Sequence, residues 1–395
     1  MQYDISGHET SAQKIGFTCD RSHSQRATRR PDGRTARMTQ KLRVIQCGTG
    51  NVGKHSVAAV HEHNDLELVG ALVYSDDKAG RDVGEIAGIE KIGVIATKDF
   101  DEILALEADC VLYHAQGDWN PPAALDEICR LLASGKNVVS TAVTAWIYPP
   151  STDGDVVERL EAACAEGHSS FHGTGIEPGW GSEVLPLTMS GLFRRIDSLL
   201  VQELMDYSTY EHPFVLFDVM GFGKSPGTRV PLDDPAVGAT AFKAPLMLVA
   251  EGLGATIEDF VWEREVATTD TPIEVKAGRV EAGTVAAMRI SYSAIIEGRR
   301  ALTIEHITRL GAHPAPHWPN GRGWKVTVEG LPSMVVESRI AVHDEDDNDQ
   351  ACLGTAMHSV HAVAPVCAAN PGIRTFLDLP NILGRGVLSR AVSNK

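Results

Sequence analysis

Ten residues, VIQCGTGNVG at positions 44–53, limit the folds open to this chain more than any other stretch. The apolar run LRVIQC stops at Gly48, and a helix-like stretch follows over residues 51–63. Gly48, Gly50 and Gly53 give the spacing GxGxxG between them. In a strand–turn–helix setting each glycine has its own duty. The first makes the tight turn, the second lets backbone approach a pyrophosphate, and the third lets the helix pack on the strand. The helix N-terminus then faces the phosphates. The stretch predicts a dinucleotide-binding βαβ unit, held through Gly48, Thr49, Gly50, Asn51, Val52 and Gly53.

The rhythm downstream agrees. Strand-like runs (LELVGALVYS, IGVIAT, DCVLYHA, NVVST, SSFHGTG) alternate with helical stretches at residues 99–106, 122–134 and 155–166. Short apolar runs separated by helices predict a parallel, doubly wound α/β sheet of Rossmann type. After residue 175 the pattern changes. Long alternating runs such as IDSLLVQELMDYS, GTVAAMRISYSAIIEG, RALTIEHITRLG and GWKVTVEGLPSMVVESR predict an α+β domain with an open mixed sheet. One helix is expected within it at residues 245–255. The acidic run HDEDDNDQ at residues 343–350 reads as a solvated loop, and the apolar stretch after it as a helix packing back on the first domain. The expected division is a leader at 1–40, a Rossmann domain at 41–175, a substrate and dimerisation domain at 176–345, and a C-terminal helix segment at 346–395.

Composition narrows the function. The chain has 395 residues, 36 basic against 52 acidic, for a net charge of −16. Such a surface repels nucleic acid and anionic membrane, so neither is an expected partner. No run approaches eighteen apolar residues. The seven cysteines are unpatterned, as in a reducing compartment, and a cytoplasmic location is expected. Residues 1–40 are polar and Arg-rich, without apolar periodicity. They read as a disordered leader upstream of a start at Met38, or else as an organelle transit segment, which their acidic residues oppose.

The cofactor's phosphate is read from the end of the second strand, VYSDDKAGRD. An acid there binds ribose hydroxyls, as NAD sites require. Asp76 and Asp77 are acids, yet Ser75, Lys78 and Arg81 suit a 2′-phosphate. The cofactor is NADP or NAD, with a lean to NADP because Tyr74-Ser75 closes the strand.

At this point the chain resembles a known family. VIQCGTGNVG, GALVYSDDKAGRDVGEIAGI, DCVLYHA and GKNVVSTA are similar to the N-terminal domain of dihydrodipicolinate reductases. GTGIEPGWGSEVLPLTMSG, MGFGKSPG, AGTVAAMRI and AVAPVCAANPGIRTFLDLP resemble 2,4-diaminopentanoate dehydrogenase and the native amine dehydrogenases, over roughly residues 42–388. The resemblance implies a homodimer through the C-terminal sheet, and NAD(P)H-linked reduction of a C=N or C=O carbon. Two departures stand out. The reductases' His-His pair and Lys/Pro-Ser-Gly-Thr box are absent, although His212 and Lys224 occupy that region. The amine dehydrogenases' Glu after the fifth strand falls near Thr144, where TAVTAWIYPP holds no carboxylate.

Hydride chemistry needs a proton source beside the reacting carbon. Ligands of such sheets lie at the carboxyl ends of the strands, which brings forward His114, Ala115, Gln116, Thr141 and Thr144. His114 either donates a proton or lines the ribose pocket. Glu177, in GTGIEPGW, is the leading carboxylate for acid–base work; the alternative is a hinge residue capping the helix that starts near Gly181. His306 is either a satisfied core residue or a catalyst. Trp146, Tyr148, Trp180 and Tyr210 are the expected substrate-lining aromatics. His313 and His317 lack partner ligands, so no metal is expected. The leading function is an NAD(P)H-dependent oxidoreductase acting on a small or medium substrate. The alternatives are a carbonyl or alcohol oxidoreductase that uses no ammonia, and a non-catalytic nucleotide sensor.

Overall fold

The computed structural model describes residues 40–343 and 345–388. The expected leader lies, but for Gln40, outside them. Seven strands form one parallel sheet: β1 (Leu42–Cys47), β2 (Leu66–Leu72), β3 (Ala96–Thr97), β4 (Cys110–Tyr113), β5 (Asn137–Ser140), β6 (Ser170–Gly173) and β15 (Gly372–Ile373). Their spatial order is β15-β6-β5-β4-β1-β2-β3, so the chain reverses direction of winding between β1 and β4. That is the Rossmann order with one strand added at the far edge, and its switch point is where ligands bind. β1 and β4 are almost wholly buried because helices cover both faces.

Each helix has a local reason. In α1 (Asn51–Glu62), Gly53, Ser56, Val57 and Val60 are buried, a spacing of three and four that lays one stripe on the sheet. α3 (Phe100–Ala105) starts at Asp99, whose carboxylate accepts from the amides of Asp101 and Glu102. α4 (Pro121–Ala133) begins with Asn120 as cap and proline at its first turn.

The second sheet has six strands in the order β14-β13-β7-β12-β11-β8. They are β7 (Arg195–Asp206), β8 (Asp259–Thr268), β11 (Val285–Ile296), β12 (Arg299–Arg309), β13 (Gly323–Leu331) and β14 (Met334–Arg339). β7 and β12 run parallel; the other pairs are antiparallel. One face packs on α7 (Pro235–Gly252) through Phe242, Leu246, Val249 and the strand residues Val201, Ile290, Ile304 and Val326. α7 begins ten residues before the helix expected from sequence, and Pro245 sits inside it. β13 and β14, read as one run, are two strands that turn at Pro332.

The acidic run is not a solvated loop. Asp346 caps α8 (Asp347–Cys367), accepting from the amides of Asn348 and Asp349. Carboxylates belong at a helix N-terminus, where the backbone dipole and free amides meet them. Asp347 is 3% exposed and pairs with Arg322. α8 then lies against the parallel sheet, where Val360, Val363 and Val366 share a core with Val44, Val57, Val60 and Leu112. Among the described residues no helix is long and apolar enough to cross a membrane.

This docking gives a stability test. Val363→Ala removes buried side-chain volume from the α8 interface and is expected to cost about 2 kcal/mol in urea unfolding. Val335→Ala, at a side chain 56% exposed on edge strand β14, is expected to change it by no more than about 0.5 kcal/mol.

Candidate active site

The glycine turn closes β1 as its spacing requires. A Cβ on Gly53 would stand 2.0 Å from the Gly48 carbonyl oxygen, so only glycine lets α1 pack this closely. Gly50 is different: nothing lies within 4 Å of a Cβ built there. That open space is bounded by the first turn of α1, where no side chain caps the free amides. Thr49 Oγ1 is buried there without a partner. Unpaired buried donors around an open cradle fit a bound phosphate group. Lys78 Nζ closes one side by donating to the Thr49 carbonyl at 3.0 Å.

Beyond the switch point, His114 follows β4. Its Nδ1 lies 2.8 Å from Thr141 Oγ1 and its Nε2 3.0 Å from Ser56 Oγ. Burial pushes its pKa down to about 3. A neutral imidazole with both nitrogens occupied ties α1 to the ends of β4 and β5. His114 thus carries no spare proton at neutral pH, which argues against the donor role.

Glu177 lies on the segment that leaves β6 for the second sheet. The turn depends on Gly179, whose φ is +141° and whose Cβ would meet Gly175 O at 2.2 Å. Glu183 holds the same turn from below, accepting from the Gly179 amide at 2.8 Å. Glu177 Oε1 accepts from the Ser182 hydroxyl, and its Oε2 is buried. Burial, then the nearby Glu203 and Glu183 carboxyls, hold Glu177 well above the ordinary carboxylic range, against a weaker opposite pull from the Trp324 indole. Burial also pushes Glu183 up to about 8. A carboxyl raised this way keeps its proton at neutral pH and donates it.

The second sheet brings further groups. On β7, Glu203 has Trp324 of β13 as register partner on one side and His306 of β12 on the other. Cross-strand partners point to the same face, so the three side chains form a row. Glu203 Oε2 lies 3.1 Å from His306 Nε2. Burial raises the Glu203 carboxyl to about 8 and lowers His306 to about 4, so the pair shares one proton and is neutral overall. Tyr207 stacks on Tyr210 at 4.9 Å between ring centres.

A cavity of about 400 Å³ joins these parts, lined by Asn51, Glu177, Glu203, Tyr207, Tyr210 and Thr355 among others. A smaller one of about 60 Å³, lined by Thr141, Thr144, Thr174 and Glu177, lies toward the strand ends. Glu177 is common to both. The larger volume is within the usual range for small-molecule sites. Its two lysines are engaged, Lys54 with Asp349 at 2.6 Å and Lys276 with Glu211.

The residues singled out from sequence divide accordingly. Asn51, Thr141, Thr144, Glu177 and Tyr210 line the two cavities. Val52 and Ala115 are half-buried beside the glycine turn. Trp146 and Tyr148 are not in the lining of either cavity. Trp146 packs against Phe171 in the Rossmann core, and the Tyr148 hydroxyl donates to Glu251 of α7. Trp180 stands edge-on to Trp324 at 6.2 Å. His306 is behind Glu203 rather than in the cavity wall. At the end of β2, Asp76 turns outward to Lys98 at 2.6 Å, and Ser75 bonds Asp77. Lys78 and Arg81 donate hydrogen bonds to backbone oxygens, and both join the Ser75 hydrogen bond in holding the Asp77 carboxyl below its ordinary value.

Sequence reasoning missed Glu203, Glu183 and Asp118. Glu203 had a signal: it occupies the apolar side of the alternation Leu199, Val201, Glu203, Met205, Tyr207. Asp118 had none. Its carboxylate accepts from the Thr144 amide at 3.0 Å and hydroxyl at 3.2 Å. An acid from the loop after β4 thus reaches the stretch that holds none of its own.

Comparison with known proteins bears on the family and the fold. Residues 183–390 match the 2,4-diaminopentanoate dehydrogenase C-terminal domain, and residues 42–146 match the dihydrodipicolinate reductase N-terminus. The chain is 34% identical to an amine dehydrogenase of Streptomyces virginiae, over 89% of this chain and 100% of that protein. It is 22% identical to 2,4-diaminopentanoate dehydrogenase of Acetoanaerobium sticklandii, over 86% of this chain and 94% of that one. The structure of an amine dehydrogenase from Mycobacterium smegmatis superposes with a TM-score of 0.71 at 18% identity, over 87% of this chain and 97% of that chain.

The buried carboxyls set a pH test with a definite sign. Glu183 and Glu203 keep protons up to about pH 8 in the folded protein. The unfolded chain releases them near the ordinary carboxylic value. Their contribution is therefore complete at acid pH and lost as pH rises toward 8. Buried His114, His172 and His358, lowered by desolvation, act oppositely but only below about pH 6.5. Stability by denaturant titration is expected to fall between pH 6.5 and 8, by on the order of 1 kcal/mol per pH unit for each carboxyl. Glu183→Gln is expected to flatten that slope.

Proposed function

The chain belongs to the family of amine and 2,4-diaminopentanoate dehydrogenases, and from that premise we propose that it reduces a C=N or C=O carbon of a small or medium substrate, with Glu177 as the acid–base group. Family membership makes it an NAD(P)-dependent oxidoreductase, which sets aside the sensor alternative. The observation that carries the proposal is Glu177, whose buried carboxyl belongs to a residue lining both cavities between the Rossmann strand ends and the second sheet.

The proposed cradle for the cofactor is the turn of Gly48, Thr49, Gly50 and Gly53 with the first amides of α1, including those of Asn51 and Val52. Thr141 and Thr144 flank its reactive end. When bound, the cofactor supplies the hydride. The protein supplies the proton: Glu177 holds one at neutral pH and faces the position of the substrate heteroatom. Its lysines are both paired, so no free cation awaits a substrate carboxylate. That favours ketones, imines and amines over keto acids.

NADP is the proposed cofactor. Lys78 stands at the cradle, bonded to the Thr49 carbonyl, and Arg81 reaches the Asp77 carbonyl; neither forms an ion pair within 4.0 Å among the described residues, although both act on the Asp77 carboxylate from farther off, and Asp76 is drawn away to Lys98. A homodimer is proposed through the second sheet's outer face. There Gln202, Arg289 and Glu305 form a hydrogen-bonded row beside an open cavity of about 340 Å³.

Oxidation of NADPH against a ketone panel, with and without ammonium, tests the reading. Ammonium-dependent turnover is expected; turnover indifferent to ammonium would make the chain a carbonyl reductase. Glu177→Gln is expected to lower kcat by roughly 10²- to 10⁴-fold, and wild-type rates would remove Glu177 from the mechanism. Gly50→Trp fills space that is open in the protein, so unchanged thermal stability with lost NADPH binding is expected. Lys78→Ala is expected to weaken NADPH roughly tenfold, about 1.4 kcal/mol, and leave NADH unchanged. Equal effects on both would contradict the 2′-phosphate assignment.

A further inference from the structure

We propose that Glu203, held by His306, is a second acid–base group facing Glu177 across the substrate cavity, and that it serves the dehydrating half of reductive amination. The inference rests on the amine-forming reading above and adds to it a division of labour.

The placement is specific. Glu203 and Glu177 arrive from different parts of the chain, one on a strand of the second sheet and one on the segment leaving β6, and both line the same cavity. His306 lies behind Glu203, 3.1 Å away, and its Nε2 is also 3.2 Å from Thr308 Oγ1. An acid on the inward face of a strand otherwise made of Leu199, Val201 and Met205 costs folding energy unless it is paired. The imidazole provides that pairing and a place for the proton when the carboxyl gives it up.

The chemistry needs two such groups. Ammonium must first lose a proton, since only ammonia adds to a carbonyl carbon. Glu203 takes it on its carboxyl as its own proton passes across the 3.1 Å contact to His306 Nε2. The N–C bond then forms, the C=O electron pair moves to oxygen, and Glu177 protonates that oxygen. The added nitrogen loses a proton to give the neutral carbinolamine. For water to leave, the hydroxyl must take a further proton. The C–O bond breaks as the nitrogen lone pair forms C=N, leaving an iminium carbon to accept hydride. Overall, ketone, ammonium and hydride give amine and water. Every proton comes from ammonium, and each is carried between nitrogen and oxygen by the two carboxyls. Like-charged carboxyls in one desolvated pocket do not ionise together, so while one has given up its proton the other keeps its own.

The split is measurable because a preformed cyclic imine skips the dehydration. NADPH oxidation would be followed with 5-amino-2-pentanone-derived 2-methyl-1-pyrroline, and separately with 2-pentanone plus ammonium chloride. In Glu203→Gln, ketone amination is expected to fall at least 100-fold while imine reduction falls less than fivefold. Glu203→Asp, which restores a carboxyl, is expected to recover at least a tenth of the amination rate. Equal losses on both substrates in both variants would assign Glu203 a structural role and overturn the inference. If Glu203→Gln does not fold, His306→Asn replaces it, with the same split expected. A wild-type protein that reduces the imine but never aminates the ketone would overturn the inference and keep the oxidoreductase. A wild type idle on both, with NADPH bound, would overturn the amine-forming reading itself.

Discussion

Burying a carboxyl without a counter-charge is among the costliest things a fold does, and this one buries three close together: Glu177 and Glu203 in the wall of the cleft, and Glu183 in the turn that carries Glu177. No lysine or arginine reaches any of them among the described hydrogen bonds and ion pairs. Each is made tolerable by keeping a proton and by a short list of polar partners: Ser182 for Glu177, the Gly179 amide for Glu183, and His306 for Glu203. The expense is concentrated where two sheets meet. Proteins accept such costs at reacting centres, where a group must hold a proton that water would remove.

The rest of the structure keeps that meeting place in register. Gly179 sets the path of the crossing segment, and Glu183 fastens it. α8 begins beside the second sheet, where Asn348 bonds the Asp206 carbonyl, and ends on the parallel sheet. Its Asp349 grips Lys54 and His55 of α1. The helix that carries the nucleotide cradle is thereby tied to the strand that carries Glu203. His114, locked between Ser56 and Thr141, extends the same tie through the strand ends.

The parallel sheet was legible in the sequence because its signals are local. A glycine spacing, short apolar runs and helix caps all act within a dozen residues, and the switch point follows from the strand order they imply. The site was only partly legible. Glu177 betrayed itself by standing in a glycine- and proline-rich turn between two rhythms. Glu203 lies in an ordinary-looking strand, and its meaning comes from neighbours far along the chain, His306 and Trp324, that only sheet register supplies. Asp118 reaches Thr144 across 26 residues. Trp146 and Tyr148 looked like pocket aromatics and proved to be packing, since side-chain type alone does not say which way a loop turns. The acidic run at 343–350 looked solvated, yet Asp346 caps a helix by accepting from its free amides, and Asp347 and Asp349 pair with Arg322 and Lys54.

The central claim is that the cleft stores protons on carboxyl groups at neutral pH. Infrared spectroscopy of the protein labelled with ¹³C at glutamate carboxyls tests it directly. At pH 7, with NADPH bound, a protonated-carboxyl C=O band is expected that weakens in Glu177→Gln and Glu203→Gln, and the parts of it lost in Glu183→Gln and Glu203→Gln are expected to fade as pH passes about 8. A spectrum at pH 7 with only carboxylate bands would contradict the claim and, with it, the assignment of proton donor to this cleft.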